Sequence, residues 1–80
     1  MTLDKIRAGI VIAQKYYDDP DSFHFGAEHD EIFLYATDRC MDAADVSQMI
    51  ELGWRQDVEP KGDEMTVADY DPSEGWRTFV

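Results

Sequence analysis

The sequence has one cysteine, Cys40, and seven basic residues among its 80 positions. A single cysteine excludes an intramolecular disulfide, so the fold must be held together without one. No apolar run is long enough to span a membrane and no segment resembles a signal peptide, so we expect a cytoplasmic protein. The shortage of basic residues also argues against direct binding to nucleic acid or to an anionic membrane.

The composition otherwise supports a folded chain with one small core. Apolar residues make up 44% of the sequence, and ten residues are aromatic. A chain of this length buries enough surface for one core and not for two. We therefore predict a single compact domain over residues 1–80.

Acidic residues dominate the charge, with eighteen Asp and Glu against seven Lys and Arg and a formal net charge of −11. Residues 1–17 contain three basic residues and Asp4, for a net charge of +2. Residues 18–80 contain seventeen acids and four basic residues, for a net charge of −13. This acidity favours a basic protein partner. Alternatively, a role in solubility or salt adaptation explains the composition equally well.

The strongest local pattern is a strand followed directly by a helix, within residues 31–54. Two apolar rows alternate in the strand, which predicts burial on both faces. These rows are Ile32, Leu34 and Ala36 on one side and Phe33, Tyr35 and Thr37 on the other.

The helix that follows covers residues 43–50, where apolar side chains recur at helical spacing. Asp38 or Asp42 can serve as its N-cap. Gly53 is placed to end it in a left-handed conformation, which would turn Trp54 back towards the core.

A second amphipathic helix is predicted over residues 3–17, with Thr2 as its N-cap and Pro20 beyond its end. Gly9 weakens this helix by about 1 kcal/mol relative to alanine. We interpret Gly9 as a point of close packing.

Short strands are predicted over residues 22–27, 54–58 and 76–80. Residues 65–70 fit a strand or a helix and are counted here as a strand. The predicted fold is an α+β domain, in which a small antiparallel sheet of four to five short strands packs with two helices in the order α-β-β-α-β-β-β.

The residue types needed for metal binding or catalysis are poorly arranged. His24, His29 and Cys40 lack the paired short spacings of a zinc site. The acidic loop that begins at Asp57 fails the calcium-loop template, because Ala68 stands where a bidentate Glu is required. No nucleophile motif or phosphate-binding glycine loop is present. We therefore expect no metal, no cofactor and no enzymatic activity.

The acids cluster in the predicted loops, where they can present carboxylates to a surface built for phosphates. We predict that the partner-binding residues come from these clusters. They are Asp18, Asp19, Asp21, Glu28, Asp30, Glu31, Asp57, Glu59, Asp63, Glu64, Asp69, Asp71 and Glu74.

Three segments, AEHDEIFLYATD, VSQMIELGW and the closing GWRTFV, resemble small acidic proteins of phages and prophages, a group that includes anti-CRISPR proteins. The resemblance covers residues 27–54 and 75–80. It implies a phage-encoded inhibitor that acts in the cytoplasm of the bacterial host. Its implied target is a basic nucleic-acid-binding subunit of a type I CRISPR effector complex.

Charge and resemblance together predict a monomeric, non-enzymatic nucleic-acid mimic. It would bind a basic surface of a bacterial defence complex and block access of target DNA. The alternative is an acidic phage accessory or regulatory protein that binds a small ligand or another protein partner.

Overall fold

The computed structural model describes residues 2–19, 25–59, 62 and 64–79. Three strands form one antiparallel sheet in the order β1-β2-β3, and two helices accompany it, so the arrangement is α+β. The elements in chain order are helix α1 (Leu3–Gln14), strand β1 (Phe25–Glu28), strand β2 (Glu31–Leu34), helix α2 (Ala43–Glu51), a short 3-10 helix (Val67–Asp69) and strand β3 (Trp76–Phe79).

Helix α1 begins where the sequence predicts, because the Thr2 hydroxyl accepts a hydrogen bond from the Lys5 N–H at 3.3 Å. It ends at Gln14, before the predicted end at Tyr17. The Tyr16 carbonyl instead accepts hydrogen bonds from two backbone N–H groups in the loop after β2, at 3.0 and 3.2 Å. This contact anchors the end of α1 to that loop.

Helix α2 ends at the glycine stop that the sequence predicts. Gly53 has a φ of 98°. Its N–H donates to the Ile50 carbonyl, and the Trp54 N–H donates to the Met49 carbonyl, both at 3.0 Å. These two bonds form a Schellman motif. The motif turns Trp54 into the core, where it is 1% exposed. At the other end Asp42 holds the N-cap position without a side-chain capping bond.

The core lies between the two helices and one face of the sheet. Its largest fully buried side chains are Trp54, Trp76, Met49, Val46 and Thr78. A Cβ at Gly9 would lie 2.0 Å from Nε1 of Trp54, so α1 can approach the indole this closely only at a glycine. The predicted close packing at Gly9 is confirmed.

The predicted count of four to five strands and the order α-β-β-α-β-β-β are wrong. Residues 54–58 form no strand, and their contribution is one isolated bridge between Arg55 and Arg77. The next residue, Gln56, directs its N–H to Sδ of Met65 at 3.4 Å and its side chain to the turn before β3. These bonds draw the chain away from the sheet edge.

Residues 65–70, which fit a strand or a helix by sequence, contain the 3-10 helix Val67–Asp69. The Asp69 carboxylate accepts hydrogen bonds from the backbone N–H and the hydroxyl of Thr66, at 2.9 and 3.1 Å. This capping box closes the turn locally, so the segment does not extend into a strand.

The remaining strands are shorter than predicted. Of the first predicted strand, residues 22–24 lie outside the described residues, and β1 pairs with β2 from Phe25 to Glu28. Strand β2 ends at Leu34, and the following Tyr35 carbonyl accepts a hydrogen bond from the Tyr17 hydroxyl at 2.5 Å. Burial on both faces of the predicted strand at residues 32–37 is also wrong, because Leu34 on one face is 4% exposed and Tyr35 on the other is 49% exposed.

Candidate partner-binding surface

The sheet has an inner face in the core and an outer face on which aromatic and arginine side chains lie. Register places Leu34 opposite Trp76 on the inner face and Phe33 opposite Arg77 on the outer face. We define the outer face by Phe33, Tyr35, Arg55, Arg77 and Phe79. Tyr35 is 49% exposed and Phe79 is 55% exposed. Sequence reasoning missed this surface, although the alternation within residues 32–35 was its signal.

The two arginines of the outer face share one carboxylate. Nε of Arg77 lies 3.3 Å and Nη2 of Arg55 lies 3.8 Å from Oε1 of Glu31. That oxygen is buried and accepts no hydrogen bond from the described residues. The guanidinium of Arg55 also lies over the Phe79 ring, 4.1 Å from its centroid. The predicted site residue Glu31 therefore pairs within the molecule.

The predicted acidic cluster of Asp18, Asp19 and Asp21 is partly neutralised. Asp18 pairs with Nε of Arg39 at 3.2 Å, and the Asp18 N–H donates to Asp38 at 2.8 Å. Asp19 is exposed. Asp21 lies outside the described residues. Asp18 is therefore less available to a partner, because the Arg39 guanidinium already lies beside its carboxylate.

Gln56 links two groups of predicted acids, one that begins at Asp57 and one at residues 69–74. Its side chain is 4% exposed, and its amide donates to the carbonyls of Asp71 and Glu74 at 2.8 and 3.1 Å. Its carbonyl oxygen accepts a hydrogen bond from the Asp71 N–H at 2.9 Å. The turn at residues 71–74 is thus fixed beside Asp57. One cavity of about 280 Å³ is lined by both Asp57 and Glu74.

Two of the predicted acids at residues 69–74 have structural roles. Asp69 caps the 3-10 helix, and Asp71 accepts hydrogen bonds from the Ser73 N–H and hydroxyl at 2.9 and 2.6 Å. The bonds from Ser73, the hydroxyl first, hold the pKa of Asp71 below its usual range. Asp63 lies outside the described residues.

Five predicted acids are exposed and form no ion pair with the residues the structure describes. They are Asp30, Asp57, Glu59, Glu64 and Glu74. Glu28 is also exposed, with His29 at 3.9 Å. Glu28 and Asp30 lie at the β1–β2 turn, whereas Asp57 and Glu74 lie at the opposite end of the strands. The available carboxylates therefore stand at both ends of the sheet.

A separate network joins α1 to α2 and leaves Asp45 unavailable to a partner. Lys15 and the Tyr16 hydroxyl donate to the same Asp45 oxygen at 2.8 and 2.5 Å. The hydrogen bond from Lys15, followed by that from Tyr16, lowers the pKa of Asp45. Burial raises the pKa of Tyr17 to about 12, and the charge of Asp38 adds to the effect.

A larger cavity of about 540 Å³ lies beside the end of α2. Its lining includes Trp54, Arg55, Met65 and Arg77. Within the described ranges, no group of three or more His, Cys, Asp or Glu side chains is placed to hold a metal ion. Neither helix of the described chain is long and apolar enough to cross a membrane.

Comparisons with protein-family models, with curated proteins and with solved structures found no match to this chain.

Proposed function

We propose that this protein acts without catalysis, by binding a basic surface of a protein partner through exposed carboxylates and blocking nucleic acid from that surface. The imbalance in ion pairing supports this proposal. All four described arginines, Arg7, Arg39, Arg55 and Arg77, already pair with carboxylates of the same chain. Five exposed acids have no such cation among the described residues. Lys5 is the one described lysine or arginine without an ion pair among the described residues, so the uncompensated surface charge is predominantly negative.

The resemblance to anti-CRISPR proteins supplies the partner class. The basic nucleic-acid-binding subunit of a type I CRISPR effector complex is the target, and the cytoplasm of the bacterial host is the compartment. The protein acts as a monomer and needs no cofactor for this role.

The strength of such binding must come from many contacts. An exposed ion pair contributes about 0–1 kcal/mol, and charges beyond a Debye length of about 8 Å are screened at physiological ionic strength. Single acid substitutions should therefore have small effects, and affinity should fall as salt rises.

The test is displacement of target DNA from purified type I effector complexes, measured by mobility shift at two salt concentrations. The variant replaces Asp57, Glu64 and Glu74 by Asn or Gln. The matched control replaces three exposed acids elsewhere, Asp4, Asp42 and Glu51, in the same way, so that net charge is equal. We expect the variant to need about tenfold more protein than the control for the same displacement, since it loses up to three contacts.

Equal weakening of variant and control would show that net charge alone matters, and unchanged displacement by both would favour the solubility explanation. If the unsubstituted protein displaced DNA from none of the type I complexes, the defence-inhibitor proposal would be wrong.

The second candidate function is binding of a small ligand, favoured by the cavity of about 540 Å³ that Trp54, Arg55 and Arg77 help to line. Such a volume fits a drug-sized molecule, and the cavity offers charged groups of both signs, because Asp57 and Glu64 line it together with the two arginines. A thermal-shift screen of small charged metabolites tests this function, with Arg77→Gln as the variant that should lose any shift found.

A further inference from the structure

The outer face of the sheet already holds guanidinium groups in two ways. Arg55 stacks over the Phe79 ring at 4.1 Å, and Arg55 and Arg77 both lie beside the Glu31 carboxylate. Aromatic faces attract cations through the ring quadrupole, and the planar guanidinium stacks on a ring better than an ammonium does. The chemistry of this face therefore suits arginine side chains.

The charge around the outer face favours a cationic occupant. Arg77 lines a cavity at each end of the strands. Five carboxylates surround these cavities, against the two guanidinium groups of the face; they are Glu28, Asp30, Glu31, Asp57 and Glu74. The face and its rim thus carry an excess of three negative charges. An anionic occupant would be repelled, and a cationic one attracted.

The size of the face favours a short segment over a second copy of this chain. Three strands of four residues each cover roughly 14 Å by 14 Å, or about 200 Å², at ordinary strand spacing and rise. A stable protein interface of standard size buries about 800 Å² on each partner. The face alone is therefore too small for a stable dimer and large enough for a few extended residues.

We propose that the outer face binds a short, extended, arginine-bearing segment of the protein partner. The rings of Tyr35 and Phe79 stack against its guanidinium groups, and the carboxylates at the two ends of the sheet pair with its charges. The inference rests on the proposed function and names the chemistry that this surface recognises.

Arg55 competes with an incoming arginine side chain for the Phe79 ring. Its guanidinium lies on Phe79, and the Glu31 oxygen beside it accepts no hydrogen bond from the described residues. The internal contact is therefore held by stacking and charge attraction, without a hydrogen bond to that oxygen. Removing the Arg55 side chain frees the ring, so binding of an external arginine should strengthen.

The probes are two labelled peptides of equal charge, (Arg-Ser)4 and (Lys-Ser)4, titrated at low salt by fluorescence anisotropy. The loss variant is Tyr35→Ala with Phe79→Ala. Its matched control is Leu3→Ala with Val11→Ala, which removes two exposed apolar side chains from α1. Thermal melts check that all variants fold. We expect the unsubstituted protein to prefer the arginine peptide, the loss variant to bind it about 5- to 30-fold more weakly without preference, and the control to bind unchanged.

The gain variant is Arg55→Ala, with Arg7→Ala as the control for the same change of net charge. Arg7 is exposed and lies on α1, away from the outer face. We expect Arg55→Ala to bind the arginine peptide about 2- to 5-fold more tightly than Arg7→Ala, because a ring is freed. Misfolding could not produce this gain.

Three results would overturn the proposal. Equal affinity for both peptides would exclude arginine recognition. Unchanged binding in the loss variant, with binding lost when Asp57, Glu64 and Glu74 are neutralised, would exclude the outer face and leave the proposed function intact. Absence of binding to either peptide at low salt would overturn this inference, whereas the DNA-displacement test decides the proposed function separately.

Discussion

Gln56 is the residue whose replacement should most directly disturb the acidic end of the sheet. Its side chain makes three hydrogen bonds to the turn at residues 71–74, at 2.8, 3.1 and 2.9 Å. Each such bond contributes about 1 kcal/mol net, so Gln56→Ala should lower the free energy of unfolding by about 3 kcal/mol. For a domain of this size, that loss lowers Tm by about 12–24 °C.

Two further variants separate hydrogen bonding from packing. Gln56→Met keeps most of the side-chain volume and loses all three bonds, so it should be destabilised nearly as much as Gln56→Ala. Gln48→Ala removes an exposed glutamine from α2 and should change stability by less than about 0.5 kcal/mol. Thermal unfolding followed by tryptophan fluorescence measures all three, because Trp54 and Trp76 are buried in the core.

The reasoning would be refuted if Gln56→Met melted within about 4 °C of the unsubstituted protein, since that shift corresponds to less than one hydrogen bond. Amide hydrogen exchange gives a local readout of the same bonds. The Asp71 N–H donates to Gln56 and should exchange faster in both Gln56 variants.

Two other predictions concern packing and pH. Gly9→Ala should lower the free energy of unfolding by about 1–3 kcal/mol, because the added Cβ would overpack against Trp54. The control Gly62→Ala should be nearly neutral, because an added Cβ there meets nothing within 4 Å. Equal chemical denaturation midpoints for the two variants would contradict this prediction. Above pH 10 stability should fall until about pH 12, because unfolded Tyr17 loses its proton before the folded residue, whose pKa is raised to about 12. Tyr17→Phe should flatten this alkaline limb, and an unchanged limb would show that other groups cause it.

The start of α1 and the end of α2 could be predicted from the sequence because these two boundaries depend on local hydrogen bonds, whereas the end of α1 depends on the distant loop after β2 and was misplaced. Thr2 caps α1 through a residue three positions away, and Gly53 closes α2 through residues of the same turn. Such contacts leave a signature within a few positions. The capping box of Thr66 and Asp69 is equally local, and its spacing could have identified the 3-10 helix.

The extent of the sheet could not be predicted in the same way, because it depends on contacts between distant residues. Alternation within residues 54–58 is compatible with a strand, and the contacts of Gln56 with residues 15 and 18 positions away decide otherwise. Likewise, the alternation of two apolar rows in β2 does not reveal from sequence that one row faces solvent. Phe33 and Tyr35 lie on that open side, so the candidate surface was misread as core.

The uneven charge along the chain has a consequence for how the protein meets a partner. Residues 1–17 carry a net charge of +2, and α1 packs on the core side of the sheet, away from the acids at the ends of the outer face. A cationic partner of the kind proposed would repel this net-positive segment and attract those acids, so encounters in which the outer face leads would be favoured and the association rate would rise.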